Sequence, residues 1–232
     1  MFDRIKKAFA KEAREPEPPP AAATSQLAPV SEWAATQGFT FSSQGAGQGY
    51  SIQGHVAGKP WRMEVGRPSR KYIQGEELRA RAELGIRDDV SLMVINRPLK
   101  EALEKQAYAM FTDSLQTTAD PNLPEEMRWL AMYDEVGWDS MPRAFWGRYA
   151  VLTDQREHAL AWLDPTLAQL MLGWPAPAPS AQVPFMVLLM RGKAYLRMEH
   201  QPNDMSTLQH AAQVFTSACE SAVGAFSTDL PL

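Results

Sequence analysis

Cysteine is nearly absent. Cys219 stands alone in 232 residues, which rules out a disulfide within the chain and matches a reducing compartment. Long apolar runs are also missing. No stretch approaches the roughly 18 apolar residues of a membrane-spanning helix. The N-terminus carries lysines without the continuous hydrophobic region of a secretory signal. The expectation is a cytoplasmic protein, with peripheral contact at the inner membrane surface as its one membrane role. Positive charge is not in excess: 23 Lys+Arg face 27 Asp+Glu, for a net charge of −4. A dedicated nucleic-acid binder carries the opposite footprint, so nucleic acid is not an expected partner.

Signatures of chemistry are scarce as well. There is no G-x-S-x-G elbow, and His55, His158, His200 and His210 show neither H-E-x-x-H nor Cys-His spacing. The glycines at 45, 47 and 49 are spaced G-x-G-x-G, not G-x-G-x-x-G. A strand is expected after them, so no helix N-terminus is offered to a phosphate. Adjacent acids, Asp88-Asp89 and Glu125-Glu126, suit a turn and a helix start. Cys219 falls in the apolar stripe of a helix, where it reads as a small hydrophobe. The sequence therefore gives no catalytic residue, no metal site and no cofactor, and favours a non-enzymatic protein.

What is present is the patterning of an α+β domain over 31–232. Apolar residues make up 45% and charged residues 22%, an ordinary globular mixture. The clearest signal is 184–199, where six apolar residues from Phe185 to Met190 read as a strand buried on both faces. Gly192 then turns the chain into an alternating return strand. Residues 50–57 and 60–65 form a similar hairpin, turned at Gly58-Lys59, and 90–95 is a further buried strand. Helices are expected from Ser31, over 75–84, from Pro98 to about Leu115, from Pro124 to Tyr133, over 155–163, and over Met205–Phe226. Strands linked by short turns predict a largely antiparallel sheet with helices packed on it. GKPWRME at 58–64 echoes GKAYLRME at 192–199. With a hairpin and then a helix expected in both places, the echo raises an internal β-β-α duplication, with halves 31–117 and 149–226. No motif carries a family assignment; the cadence is of a bacterial type and transfers no residue role.

Three segments stand out as working surfaces. Residues 1–14 form an amphipathic helix candidate, with Phe2, Ile5 and Phe9 on one stripe and Lys6, Lys7 and Lys11 elsewhere on the wheel. They are separated from the domain by a Pro/Ala-rich linker over 15–30. Their chemistry suits an anionic membrane surface or the groove of a protein partner, and a helix of this length needs such a surface to fold upon. The second segment is basic. Residues 59–87 hold eight Lys/Arg against four Glu, whereas 88–232 hold ten against eighteen acids. Arg62, Arg67, Arg70 and Lys71 are its candidate anion-binding groups. The third segment, 138–149, interleaves aromatics with Arg143 and Arg148, and with Trp146 these are candidates for a ligand cleft shared with the basic segment. Core packing is the competing explanation for those aromatics. The sequence thus reads first as an interaction module with a tethered basic helix. The alternative is a small-ligand or anion-binding protein, or an enzyme, with a cleft between 62–71 and 138–149.

Overall fold

In the 185–190 segment every second residue cannot face water without exposing a large apolar side chain, so a strand there must be covered on both sides. The computed structural model, which describes residues 27–45, 49–113 and 125–228, places it near the middle of one sheet. The fold is α+β. Nine antiparallel strands run in the order β1-β2-β3-β4-β9-β8-β5-β7-β6. They are β1 Thr40–Ser43, β2 Tyr50–Val56, β3 Lys59–Gly66, β4 Glu76–Glu83, β5 Leu92–Asn96, β6 Asp134–Val136, β7 Tyr149–Thr153, β8 Phe185–Met190 and β9 Lys193–His200. The described residues also form seven helices: α1 Ala28–Thr36, α2 Arg97–Asp113, α3 Glu125–Met132, α4 Arg143–Arg148, α5 Arg156–Trp162, α6 Pro165–Leu172 and α7 Met205–Phe226.

Both hairpins turn through two residues of positive φ, Ala57 (48°) with Gly58 (74°) and Arg191 (50°) with Gly192 (73°). This twist matches that of the strands it joins. The echoed segments are β3 and β9, and they flank β4 on its two sides. Beyond the hairpins the resemblance stops. The helix expected over 75–84 is strand β4, because Leu78, Ala80 and Ala82 turn to the core while Arg79, Arg81 and Glu83 turn away. Helix-forming residue types lose here to pairing along both edges of the strand. Among the described residues the hairpin β8-β9 is followed by helix α7, whereas β2-β3 is followed by strand β4, so the β-β-α duplication is not confirmed.

Helix α7 matches its pattern in full. Asp204 caps it by accepting the Thr207 N–H at 3.0 Å, and Leu208, Ala211, Ala212, Phe215, Cys219, Ala222 and Phe226 are all buried. With α5 and α6 it covers the first face of the sheet, and the Trp162 indole N–H, donated to Ala218 O at 2.8 Å, ties α5 to it. The helix expected from Ser31 begins at Ala28, with Pro29 in its first turn. The second face is covered over only half its width. Leu99 and Leu103 of α2 and Met127 and Trp129 of α3 pack on Met93, Ile95, Leu152 and Met186 of β5, β7 and β8. Over β2, β3 and β4, no described helix lies on that face; at β9 only the start of α3 reaches it, through Glu126.

Candidate functional site

The uncovered half-face follows from strand periodicity. With Trp61, Met63, Leu78, Ala80, Leu196 and Met198 committed to the helical core, the alternate residues must project the other way. These are Arg62 and Glu64 of β3, Glu77, Arg79, Arg81 and Glu83 of β4, and Lys193, Tyr195, Arg197 and Glu199 of β9. Register sets Arg62 opposite Arg81, and Arg79 opposite Arg197. Like charges placed so are destabilising without counter-charge, and two carboxylates supply it. Glu64 meets Arg62 at 2.7 Å and Arg79 at 3.3 Å. Glu83 meets Arg81 and, at 3.2 Å, Lys193. Four cations thus share two anions, and Arg62, Arg79 and Arg81 remain 48%, 40% and 55% exposed.

One end of this face is locked. Arg197 pairs with Glu77 at 2.6 Å and with Glu126 of α3. Arg70 Nε donates to Glu126 at 2.8 Å and the Tyr72 hydroxyl does so at 3.1 Å, while the Ser69 N–H and hydroxyl donate to Glu77. Burial alone would raise the Glu126 carboxyl, but its own backbone N–H, Arg197 and Arg70 outweigh burial and hold it below the usual range. Tyr72 is pushed well up by burial and then by Glu126. The network fastens the 69–72 loop and the start of α3 to the sheet. Beside this network lies an open groove of about 750 Å³, lined by Arg62, Arg79, Arg81 and Arg197 and by Met186, Leu188, Met190 and Tyr195.

The candidates read from the sequence are distributed unevenly about this site. Arg62 lines the groove. Arg70 does not line it and is engaged by Glu126. Lys71 is exposed on the neighbouring loop, and Arg67 lines a separate cavity at the end of the sheet. Arg143, Trp146 and Arg148 stand elsewhere. Trp146 packs edge-on against Trp138 at 5.0 Å and Phe145 at 5.3 Å on the helical side beside β7, and Arg148 donates to Leu172 O at 2.9 Å. Four strands separate β7 from β3, about 24 Å at the usual interstrand spacing, so 62–71 and 138–149 do not share a cleft. Residues 1–14 lie outside the described residues. Sequence reasoning missed Arg79, Arg81, Arg197, Glu77 and Glu126; the alternation over 78–83 was the signal that could have found the first two.

The described residues contain no group of three His, Cys, Asp or Glu able to hold a metal ion. His200 Nε2 meets Asp204 O at 3.1 Å and His210 Nε2 meets Leu170 O at 2.8 Å. Cys219 is buried on the core side of α7, and burial pushes its thiol far above the ordinary value. No described helix is long and apolar enough to cross a membrane. Among protein-family models, curated proteins and solved structures, none matches this chain.

Proposed function

We propose that this protein is a non-enzymatic interaction module that receives an acidic, amphipathic segment of a protein partner in the half-open groove of its sheet. The observation that carries the reading is the sharing of two carboxylates, Glu64 and Glu83, among four cations beside a methionine-rich floor. Carboxylates of a partner would complete the ion pairs of Arg62, Arg79 and Arg81, and its apolar side would cover the half-buried Met190 and Tyr195. Guanidinium pairs with carboxylate in a two-pronged geometry, which suits such recognition. The test uses a fluorescent helical peptide of glutamate and leucine and the full chain. Binding should weaken as salt rises and fall by about tenfold or more in the Arg79→Glu, Arg81→Glu double variant. Arg143→Glu should leave it unchanged. Equal affinity for the double variant and the parent overturns the proposal.

In the same reading the protein is cytoplasmic, and residues 1–14 supply a second contact, with the partner or with an anionic membrane surface. The support is their sequence pattern, lysines beside a stripe of Phe2, Ile5 and Phe9. Flotation with anionic vesicles should be lost when residues 1–14 are deleted; if the shortened chain floats as before, the membrane arm is removed.

A further inference from the structure

A second cavity opens on the opposite side of the sheet. It has a volume of about 850 Å³ and lies at the sheet end between the first turns of α1 and α7. Its body is apolar, formed by Leu27, Phe41, Tyr50, Met205 and Leu208. Its polar equipment is one-sided. Glu32, Glu76 and Asp204 supply carboxylates against the single guanidinium of Arg67.

His200 gives the decisive detail. It is 2% exposed and lines the cavity. Its Nε2 lies 3.1 Å from the backbone carbonyl of Asp204. A carbonyl oxygen only accepts, so Nε2 carries the hydrogen and, in the neutral ring, Nδ1 presents a lone pair. That Nδ1 is buried with no hydrogen-bond partner among the described residues. The Glu76 carboxylate stands 3.6 Å from it, beyond hydrogen-bond distance. A buried acceptor left unmade is costly, and the Glu76 carboxylate beside it, 39% exposed, is open to a ligand.

We infer that this cavity binds a small organic cation, a primary ammonium carried on an apolar body. The ammonium has three donors and no acceptor. It can donate to Glu76 and to His200 Nδ1 together, while its hydrocarbon part fills the space beside Phe41, Tyr50 and Leu208. A cavity of this size is in the range of small-molecule sites. An anionic ligand would meet three carboxylates, and a neutral one would make no ion pair with Glu76.

The experiment is calorimetric titration of the full chain with n-hexylammonium and, separately, with 1-hexanol, which keeps the apolar body and loses the charge. The ammonium should bind saturably at one site, about tenfold or more tightly than the alcohol. It should also shift the Nδ1 resonance of His200 in nitrogen NMR. Glu76→Gln should weaken the ammonium by about tenfold, whereas Glu83→Gln, on the other face of the sheet, should not. Equal binding of alcohol and ammonium overturns the inference, as does binding that leaves His200 unmoved. The comparison of the two probes uses the unaltered chain, so the result stands even if Glu76→Gln fails to fold. The site is independent of the arginine groove, and Arg79→Glu with Arg81→Glu should leave ammonium binding intact.

Discussion

Glu126 answers to several donors at once. Arg70, Arg197 and Tyr72 all reach it, although they are separated from it by 56, 71 and 54 positions in the chain. Its side chain is 3% exposed, so an uncompensated charge there would be costly. The pairing makes the carboxylate the preferred form, and its pKa is lowered from the ordinary 4.5. A carboxyl whose folded pKa is depressed contributes stability that is present above the unfolded value and lost as the pH falls through the folded one. Stability should therefore decline below about pH 4.5, where the unfolded carboxyl begins to take its proton. Glu126→Gln removes one partner of a buried pair and should cost about 3 kcal/mol at neutral pH, with a flatter dependence in the acid range. Urea unfolding of both chains across pH 3–7 measures both effects; identical acid slopes would show that Glu126 is not the group responsible. The basic run at 66–71 made Arg70 a candidate for an external anion, with a solvated loop as the competing explanation, and the anion that Arg70 meets is this carboxylate of its own chain.

At the scale of elements, legibility depended on how locally each signal was written. Helix α7 carries its cap, its stripe and its end within 22 residues, and its bounds could be read from the chain alone. Strand β8 is a continuous apolar run and was equally clear. Strand β4 was not. Its glutamates, arginines and alanines are good helix formers, and only the alternation of Leu78, Ala80 and Ala82 with Arg79, Arg81 and Glu83 spoke for a strand. Two neighbours, β3 and β9, decide the matter by pairing along both edges of it, and neither is contiguous with it in sequence. The same non-locality hid the groove. Its arginines come from three strands, its floor from a fourth, and its lock from α3. The aromatic segment shows the reverse case. Phe145 and Tyr149 are fully buried, in line with the ordinary place of large aromatics in cores, and α4, which holds Phe145 and ends just before Tyr149, is too short to announce itself by periodicity.

For the whole molecule, the sheet is a partition between two chemistries. Strand β9 turns Arg197 to the groove and, three residues on, His200 to the cavity on the other side. Strand β4 does the same with adjacent residues, since Glu77 pairs with Arg197 while Glu76 faces His200. An odd number of positions along a strand always changes faces, so neither ligand can reach the other's contacts. The acidic peptide and the hexylammonium ion should accordingly occupy the protein together. Saturating one should leave the apparent affinity of the other within about twofold, because a ligand that does not distinguish between two states of the protein shifts nothing. Each should also raise thermal stability through its own mass-action term, about 2.7 kcal/mol at a hundredfold excess over its Kd, and the two increments should add. Titrating the fluorescent peptide into protein presaturated with hexylammonium decides the point. Displacement of one by the other would place both on a single surface and remove the partition, whereas independent saturation locates the anionic partner and the small cation on opposite faces of the same two strands.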